Sequence, residues 1–403
     1  MKNIGEVKDC FGCGVCATAC AKDAIKIELN QDGFYAPKLN ADKCVNCSLC
    51  IEVCAFLYEE LSVQNSPKQS FGAWSNNQMV RRRCSSGGVG YELGKYLLKE
   101  GYKVCAVRYN APKQRAEHYI ATDEKDFMPS IGSKYIQSYT IDGFRSINRK
   151  EKYLVTGTPC QMDSFRRYIR KFRVEDNFVL MDFFCHSVPS MLAWKKYLQI
   201  VEKQIGPVTY ASWRNKFTGW YDSWAMAIDG GVNAVNESDK VDWHDSYNIC
   251  ISGKKHCYNS RLSKGDLFYK LFLGDYCCNP ACQKNCKYKY DKSSADIRIG
   301  DFWGTTYAKD EEGVSSVVAF TEKGCEMLKQ IDCTFREYPF EIVAEGQMKK
   351  NAGKSYLDFL VFKALKNISS SEFVFKIIFL LESIIKLPNR VKNKLKRILW
   401  AKL

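Results

Sequence analysis

The chain has 403 residues, 46% apolar and 26% charged, with only ten prolines, which excludes a disordered or fibrous protein and leaves room for two or three globular domains. Sixty basic against 45 acidic side chains give a formal charge of +15, a balance that would suit nucleic acid or an anionic membrane if it were spread evenly. Twenty cysteines are too many for chance and too dilute for a small secreted disulfide scaffold, so their spacing decides their use. The first residues, MKNIGEVKDC, hold no apolar export segment. The expected setting is therefore the cytoplasm, where thiols stay reduced and clustered cysteines serve as metal ligands.

The first element, over residues 1–62, is set by cysteine spacing. Cys10, Cys13, Cys16 and Cys20 run C-x2-C-x2-C-x3-C, and Cys44, Cys47, Cys50 and Cys54 repeat that spacing. In the two-cluster bacterial pattern the fourth cysteine of each run ligates the other cluster. That predicts Cys10, Cys13, Cys16 and Cys54 on one 4Fe-4S centre and Cys44, Cys47, Cys50 and Cys20 on a second. Gly12 and Gly14 let the backbone turn between ligands, and Ala24 to Leu29 followed by Asp32-Gly33 reads as a hairpin between the runs. Zinc is the competing ion for C-x2-C pairs, but zinc sites do not call for two such four-cysteine runs. The proline usual after the fourth cysteine is replaced by Ala21 and Ala55.

After a polar linker near Ser62 to Ser70 the pattern over 63–350 becomes that of an α/β body. Candidate strands are Lys103 to Tyr109, Tyr153 to Thr156 and Phe178 to Phe184; candidate helices run from Gly88 to Lys99 and from Gln161 to Lys171. Two junctions stand out: Cys84-Ser85-Ser86-Gly87-Gly88 before the first helix, and Thr156-Gly157-Thr158-Pro159-Cys160-Gln161 between the second strand and the second helix. Glycine, hydroxyls and a helix start place free N–H groups where an anion can bind. Further on come Gly132 to Ser138, Asp182 to Ser190 with Cys185-His186, the cysteines from Cys277 to Cys286, and Ala295-Asp-Ile-Arg-Ile-Gly-Asp-Phe-Trp-Gly304.

In this order, over roughly residues 5–340, the set resembles the coenzyme F420 hydrogenase/dehydrogenase beta-subunit family, in the form that carries a two-cluster ferredoxin head. The resemblance implies an iron-sulfur flavoprotein with FAD in the body and at least one further 4Fe-4S centre. The family includes a chlorophyll-pigment reductase and many bacterial proteins encoded among exopolysaccharide genes, so it implies redox machinery and leaves the substrate open. By resemblance, Ser85, Ser86, Gly87 and Gly88 with Thr156, Gly157, Thr158, Pro159 and Gln161 would hold the flavin diphosphate and ring edge. Lys134, Tyr135 and Gln137 would line the isoalloxazine, with Lys134 stabilising its reduced anionic form. For the third cluster, strand ends of an open sheet converge at one edge. Cys160, Cys185, Cys282 and Cys286 are the expected ligands, with Cys278 an alternative to Cys286. His186 is a candidate proton donor or a plain structural histidine. Asp301 and Trp303 are candidates to fix a loop over the cofactor. Cys84 and Ser187 depart from the usual small or polar residue and glycine; Cys105, Cys250, Cys257, Cys325 and Cys333 sit in no motif and read as buried or free thiols.

Residues 351–403 read as a helical, amphipathic, basic tail. Phe373 to Leu387 is apolar but too short and too charged to span a membrane. Counting Lys386, seven basic residues and no acidic one lie in the last 18 positions, interleaved with Val391, Leu395, Ile398, Leu399, Trp400 and Leu403. Such a segment suits either an anionic membrane surface at the inner face of the membrane or packing on the body; it lacks the stacking platform of a nucleic-acid binder. The fold expected is an α+β ferredoxin-like two-cluster head, an α/β flavin-binding body and this helical basic tail. The function expected is an iron-sulfur flavoenzyme exchanging electrons with a ferredoxin or reduced deazaflavin partner and an organic substrate. The alternative is an electron-transfer subunit that feeds a separate enzyme.

Overall fold

The computed structural model describes residues 2–216, 219–221, 225–230, 257–354 and 357–386. Cys250 and the basic stretch after Lys386 lie outside them.

In the head, β1 (Ile25–Leu29) and β2 (Tyr35–Leu39) form the expected hairpin, pairing antiparallel from Ile25 with Leu39 to Leu29 with Tyr35. The Asn30 side chain closes its turn, accepting from the N–H groups of Asp32 and Phe34 at 3.0 Å each. One short helix lies within each cysteine run, Val15–Ala19 and Leu49–Glu52. Gly12 has to be glycine: φ is +66° and a Cβ there would come within 2.2 Å of the Tyr35 carbonyl oxygen.

The body is built on β3 (Gln69–Ser75), β4 (Lys103–Asn110), β5 (Arg115–Ala121), β6 (Ser138–Tyr139), β7 (Tyr153–Thr156) and β8 (Phe178–Phe183). There follow β9 (Val208–Asn215), β10 (Ala225–Gly230), β11 (Cys257–Arg261), β12 (Ile297–Asp301), β13 (Ser315–Ala319) and β14 (Cys333–Glu337). Nine of these form one sheet in the order β14-β3-β13-β12-β8-β7-β4-β5-β6, and β11-β10-β9 form a small antiparallel one. The central pairs β12/β8, β8/β7 and β7/β4 are parallel, while β13 is antiparallel to both β12 and β3. The strands β3, β12, β8, β7 and β4 therefore end at one edge of the sheet, where crossover loops gather.

The helices Val89–Lys99 and Pro159–Lys171 cover opposite core regions. Around the second, Val15, Ala19 and Val53 of the head share a buried cluster with Phe144, Phe165, Ile169 and Phe178 of the body. Backbone adds to this: the N–H of Met191 donates to the Gly33 carbonyl at 2.9 Å. The C-terminal helices Asp358–Asn367 and Ser371–Lys386 pack Val361, Leu365, Val374, Phe375 and Ile378 against Trp194, Tyr197 and Val201 of the helix Met191–Ile205. The apolar run singled out in the tail thus buries one face in the body, and among the described residues no helix is long and apolar enough to cross a membrane.

Candidate iron-sulfur and flavin site

The head cysteines crowd one another. Burial pushes the Cys10 and Cys54 thiols up to about 12, and Cys13 and Cys16 also rise by burial; the thiols of Cys10, Cys13, Cys16 and Cys54 act electrostatically on one another. Cys50, raised by burial, feels Cys47, Cys20 and Cys44. Cys50 also acts on Cys16 and Cys54, so the two runs of cysteines stand close enough to influence each other. Cys10, Cys13, Cys16, Cys50 and Cys54, raised by burial, resist becoming thiolates unless a cation compensates their charge, which is what a cluster's iron would supply.

The helix Pro159–Lys171 joins head to body. Pro159 and Cys160 stand in its first turn, where the missing N–H of proline costs nothing, and Ser164 follows one turn later on the same face. The Ser164 hydroxyl accepts from the N–H of Ala55 at 3.0 Å and from the Cys13 thiol at 3.3 Å. Asp163, fully buried beside it, accepts from Ser62 N–H at 2.6 Å, Ser294 Oγ at 2.7 Å and Tyr288 Oη at 2.9 Å. Neither residue was singled out by sequence, although their offsets of three and four from Cys160 are the helical signal for a shared face.

Cys160 follows β7 and Cys185 follows β8, at adjacent strand ends. Burial raises Cys160 well above its ordinary range, with further contributions from Cys282, Cys185 and Cys13. Burial likewise takes Cys185 up to about 11 and Cys282 up to about 12, and Cys286 adds to both. The structure thus gathers Cys160, Cys185, Cys282 and Cys286, next to Cys13 of the head. Cys278 feels Cys282 but is bonded elsewhere, to Ser187 Oγ at 2.9 Å and to Asp275 Oδ1 at 3.6 Å.

The segment Asp296 to Gly304 builds the floor. Arg298 and Asp182 form a fully buried pair with two contacts of 2.7 Å, and the guanidinium also reaches the carbonyls of Tyr288, Tyr290 and Lys292. It thereby ties the loop after Cys286 to β8, which leads to Cys185. Asp296 takes Leu180 N–H at 2.8 Å and Arg166 at 2.9 Å. Asp301 pairs with Arg214 at 3.2 Å, and that guanidinium lies over the Trp303 ring, 4.9 Å from its centroid. Lys289, also missed by sequence, donates to the carbonyls of Cys185 and His186 at 2.7 and 2.5 Å.

The segments expected to hold flavin lie side by side. The Ser133 N–H donates to Ser85 Oγ at 2.8 Å, and Gln161 Nε2 donates to Ser138 Oγ at 3.1 Å, so the loop 132–138 touches both glycine-containing turns. Gly88 caps the helix Val89–Lys99 at φ +88°. Ser86 and Gly87 are engaged at the start of β13, through Ser86 Oγ to the carbonyl of Val314 just before it at 2.7 Å and Gly87 N–H to Ser315 Oγ at 3.0 Å. Gly157 packs on Gln161, and Gln161 Oε1 accepts from the Thr158 N–H at 2.8 Å in a capping box. The Thr158 hydroxyl lies 3.1 Å from Cys160 Sγ, and Thr156 Oγ1 donates to the Cys105 carbonyl at 3.2 Å.

Three of the expected residues are engaged within the protein. Gln137 turns to the head, accepting from Tyr35 N–H at 2.9 Å and donating to the Phe11 carbonyl at 3.1 Å. Lys134 folds back so that its ammonium donates to the carbonyls of Ser130, Ile131 and Gly132 at 2.7, 3.0 and 2.9 Å, and burial brings it down to about 7. His186 is held by Asp275 at 2.7 Å and packs edge-on to Phe272, which in turn meets Tyr135. Lys216, which sequence did not flag, mirrors Lys134: it donates to the carbonyls of Arg81, Ser86 and Glu312 and burial also lowers it to about 7. Both lysines act electrostatically on buried Cys84.

Residues 70–142 match the N-terminal model of the family described as coenzyme F420 hydrogenase/dehydrogenase, beta subunit, and residues 150–334 match the model of its C terminus, together more than half of the chain. The chain belongs to the coenzyme F420 hydrogenase/dehydrogenase beta-subunit family. Residues 9–57 match a 4Fe-4S dicluster domain, so this member of the family is an iron-sulfur electron-transfer protein. A curated relative, coenzyme F420 hydrogenase subunit beta of Methanococcus voltae, is 23% identical over 281 residues, 66% of this chain and 85% of its own. In the solved F420-reducing NiFe hydrogenase complex from Methanosarcina barkeri, derivatised with xenon, one chain is 18% identical. That match covers 77% of this chain and 91% of the other, at a TM-score of 0.44.

Proposed function

We propose that this protein is an iron-sulfur flavoprotein oxidoreductase with three 4Fe-4S clusters and FAD, exchanging electrons between a ferredoxin or reduced deazaflavin partner and an organic substrate. Bound clusters supply one-electron carriers, and bound FAD supplies the exchange between one-electron and two-electron chemistry. The observation that carries the reading is the start of the helix Pro159–Lys171. Cys160 of the body quartet, Ser164 against Cys13 of the head, and Gln161 against the loop of Lys134 all stand within its first two turns. One rigid element would thus set the spacing between the Cys13 cluster, the body cluster and the flavin.

The residues present fit a flavin nucleotide. An added Cβ on Gly132 would meet nothing nearer than Ser85 Oγ, 3.9 Å away, so the backbone at that glycine is approachable. Ser85 accepts from Ser133 and keeps its own proton to donate. The N-terminus of the helix Val89–Lys99 favours a diphosphate, and Lys134 and Lys216 stand near the same turn, beside Cys84, where a bound anion would favour their charged forms. The wet face of the C-terminal helices supports a membrane-side location: Phe359, Leu360, Phe373 and Leu380 are exposed and the sequence continues into the basic stretch, a pairing suited to an anionic bilayer surface.

The test is an anaerobic absorption spectrum with iron, sulfide and acid-released flavin measured per chain. About twelve irons and one FAD are expected; about eight irons without flavin would overturn the proposal. Turnover of a small acceptor by the purified chain separates an enzyme from a subunit that only feeds another protein. Sedimentation with phosphatidylglycerol vesicles, set against neutral ones, tests the membrane surface.

A further inference from the structure

Apart from the cysteine quartets, the described residues bring three different metal-binding side chains together at one point. His186 Nε2 lies 2.7 Å from Asp275 Oδ1, Cys278 Sγ lies 3.6 Å from the same oxygen, and the three ligand atoms fall within 4.8 Å of one another. Backbone sets this meeting. The loop after β8 and the segment Asp275 to Asn279 are laced by Ser190 N–H to the Cys277 carbonyl at 2.8 Å, Asn279 N–H to the Val188 carbonyl at 3.0 Å, and a bridge between Pro189 and Cys278.

The donors are prepared for a shared ion. Asp275 Oδ2 is occupied by the Gly353 N–H at 2.7 Å, which fixes the carboxylate with Oδ1 turned to the imidazole and the thiol. The His186 ring is held edge-on by Phe272, with centroids 5.1 Å apart, and its backbone carbonyl is anchored by Lys289. Cys278 is buried at 1% exposure, while His186 and Asp275 keep 21% of their side chains exposed, so the group has a closed sulfur end and an open end. Ser187 Oγ, 2.9 Å from Cys278 Sγ, is a further oxygen beside it. A carboxylate oxygen that receives both an imidazole and a thiol is the arrangement expected when ligand-to-ligand hydrogen bonds stand in for bonds to a metal. One nitrogen, one oxygen and one sulfur ligand form a borderline-soft set that suits zinc and not magnesium or calcium.

We propose that His186, Asp275 and Cys278 form a mononuclear zinc-type site, separate from the quartet of Cys160, Cys185, Cys282 and Cys286, with one coordination position open to water or Ser187. Because His186 follows Cys185 directly and Cys278 precedes Cys282 by four, such an ion would clamp together the two loops that present the body quartet.

The test is simultaneous zinc and iron analysis of the full-length, cluster-loaded protein purified anaerobically, before and after incubation with Zn2+ and removal of excess metal. About one zinc per chain is expected. Cys278→Ser and Asp275→Asn should each lower bound zinc at least tenfold while leaving iron unchanged, and Cys286→Ser should lower iron by about four with zinc retained. Absence of zinc even after incubation would overturn the proposal, as would full zinc retention in either of the first two variants. Loss of iron from Cys278→Ser would sink it in another way, by making Cys278 a quartet ligand. Asp275→Asn keeps the shape of the side chain and gives the answer if the cysteine variant does not fold.

Discussion

Replacing Arg298 by methionine should separate the body cluster from the head clusters. The guanidinium has five N–H donors, and the structure uses all of them: two on Asp182 at 2.7 Å, and three on the carbonyls of Tyr288, Tyr290 and Lys292 at 3.2, 2.8 and 2.9 Å. Both partners of the ion pair have no exposed side-chain surface. Methionine fills much of the volume but leaves the Asp182 carboxylate with the Ser293 hydroxyl, at 2.7 Å, as its remaining partner here. Removing one side of such a buried pair costs about 3–5 kcal/mol. The damage should fall on the loop after Cys286, so iron should drop by about four per chain while the head clusters remain. The assay is iron content together with an anaerobic urea titration followed by cluster absorption. Adding Asp182→Asn should recover part of the lost stability, since it removes the stranded charge. A loss below about 1 kcal/mol with full iron content would refute the reasoning.

Other outcomes follow from single contacts. Ser164→Ala removes a hydroxyl that accepts from the Cys13 thiol; with Cys13 a cluster-bound thiolate the hydroxyl would donate to the sulfur instead, which favours the reduced, more negative state. At about 1–1.5 kcal/mol, the potential of the Cys13 cluster should fall by roughly 40–60 mV, read by redox titration with electron paramagnetic resonance; an unchanged potential would exclude the contact. His118 is fully buried, and burial lowers it from 6.5 to about 4 while its Nε2 meets the Thr156 carbonyl at 2.9 Å. Its unfolded form binds the proton first, so stability is complete above pH 6.5 and falls between pH 6.5 and 4 by about 3 kcal/mol. His118→Gln should flatten that slope in circular-dichroism unfolding curves, and an identical slope would mean that other groups cause it. Gly87→Ala places a Cβ 2.2 Å from the Ala73 carbonyl oxygen and 2.7 Å from the Ser315 nitrogen. Both are backbone atoms that cannot step aside, so about 2–3 kcal/mol of stability and most of the bound FAD should be lost, measured by thermal shift and flavin release.

Cysteine spacing is local information, and two C-x2-C-x2-C-x3-C runs were enough to mark the head as a dicluster domain, while the hairpin between them is written in alternation and an Asp-Gly turn. The strands and helices of the central body were legible for the same reason, since Tyr153 to Thr156 and the helix that follows carry their own periodicity and their own cap. What sequence left open was where side chains far apart in the chain would meet. Whether Cys278 or Cys286 completes the body quartet depends on how the segment after β11 crosses the sheet edge, and only packing places Cys278 beside His186 and Asp275. Gln137 is an expected cofactor ligand by family resemblance; in the fold its amide faces the head, where it pairs with the backbone groups of Phe11 and Tyr35. Lys216, Lys289 and Ser164 carry no motif at all, and their importance comes from burial against carbonyls and thiols contributed by other segments. Local spacing fixes ligands that one turn of chain can bring together, whereas the body cysteines come from two strand ends, at Cys160 and Cys185, and from the Cys282 to Cys286 segment further along the chain, and only the tertiary fold decides that they are neighbours.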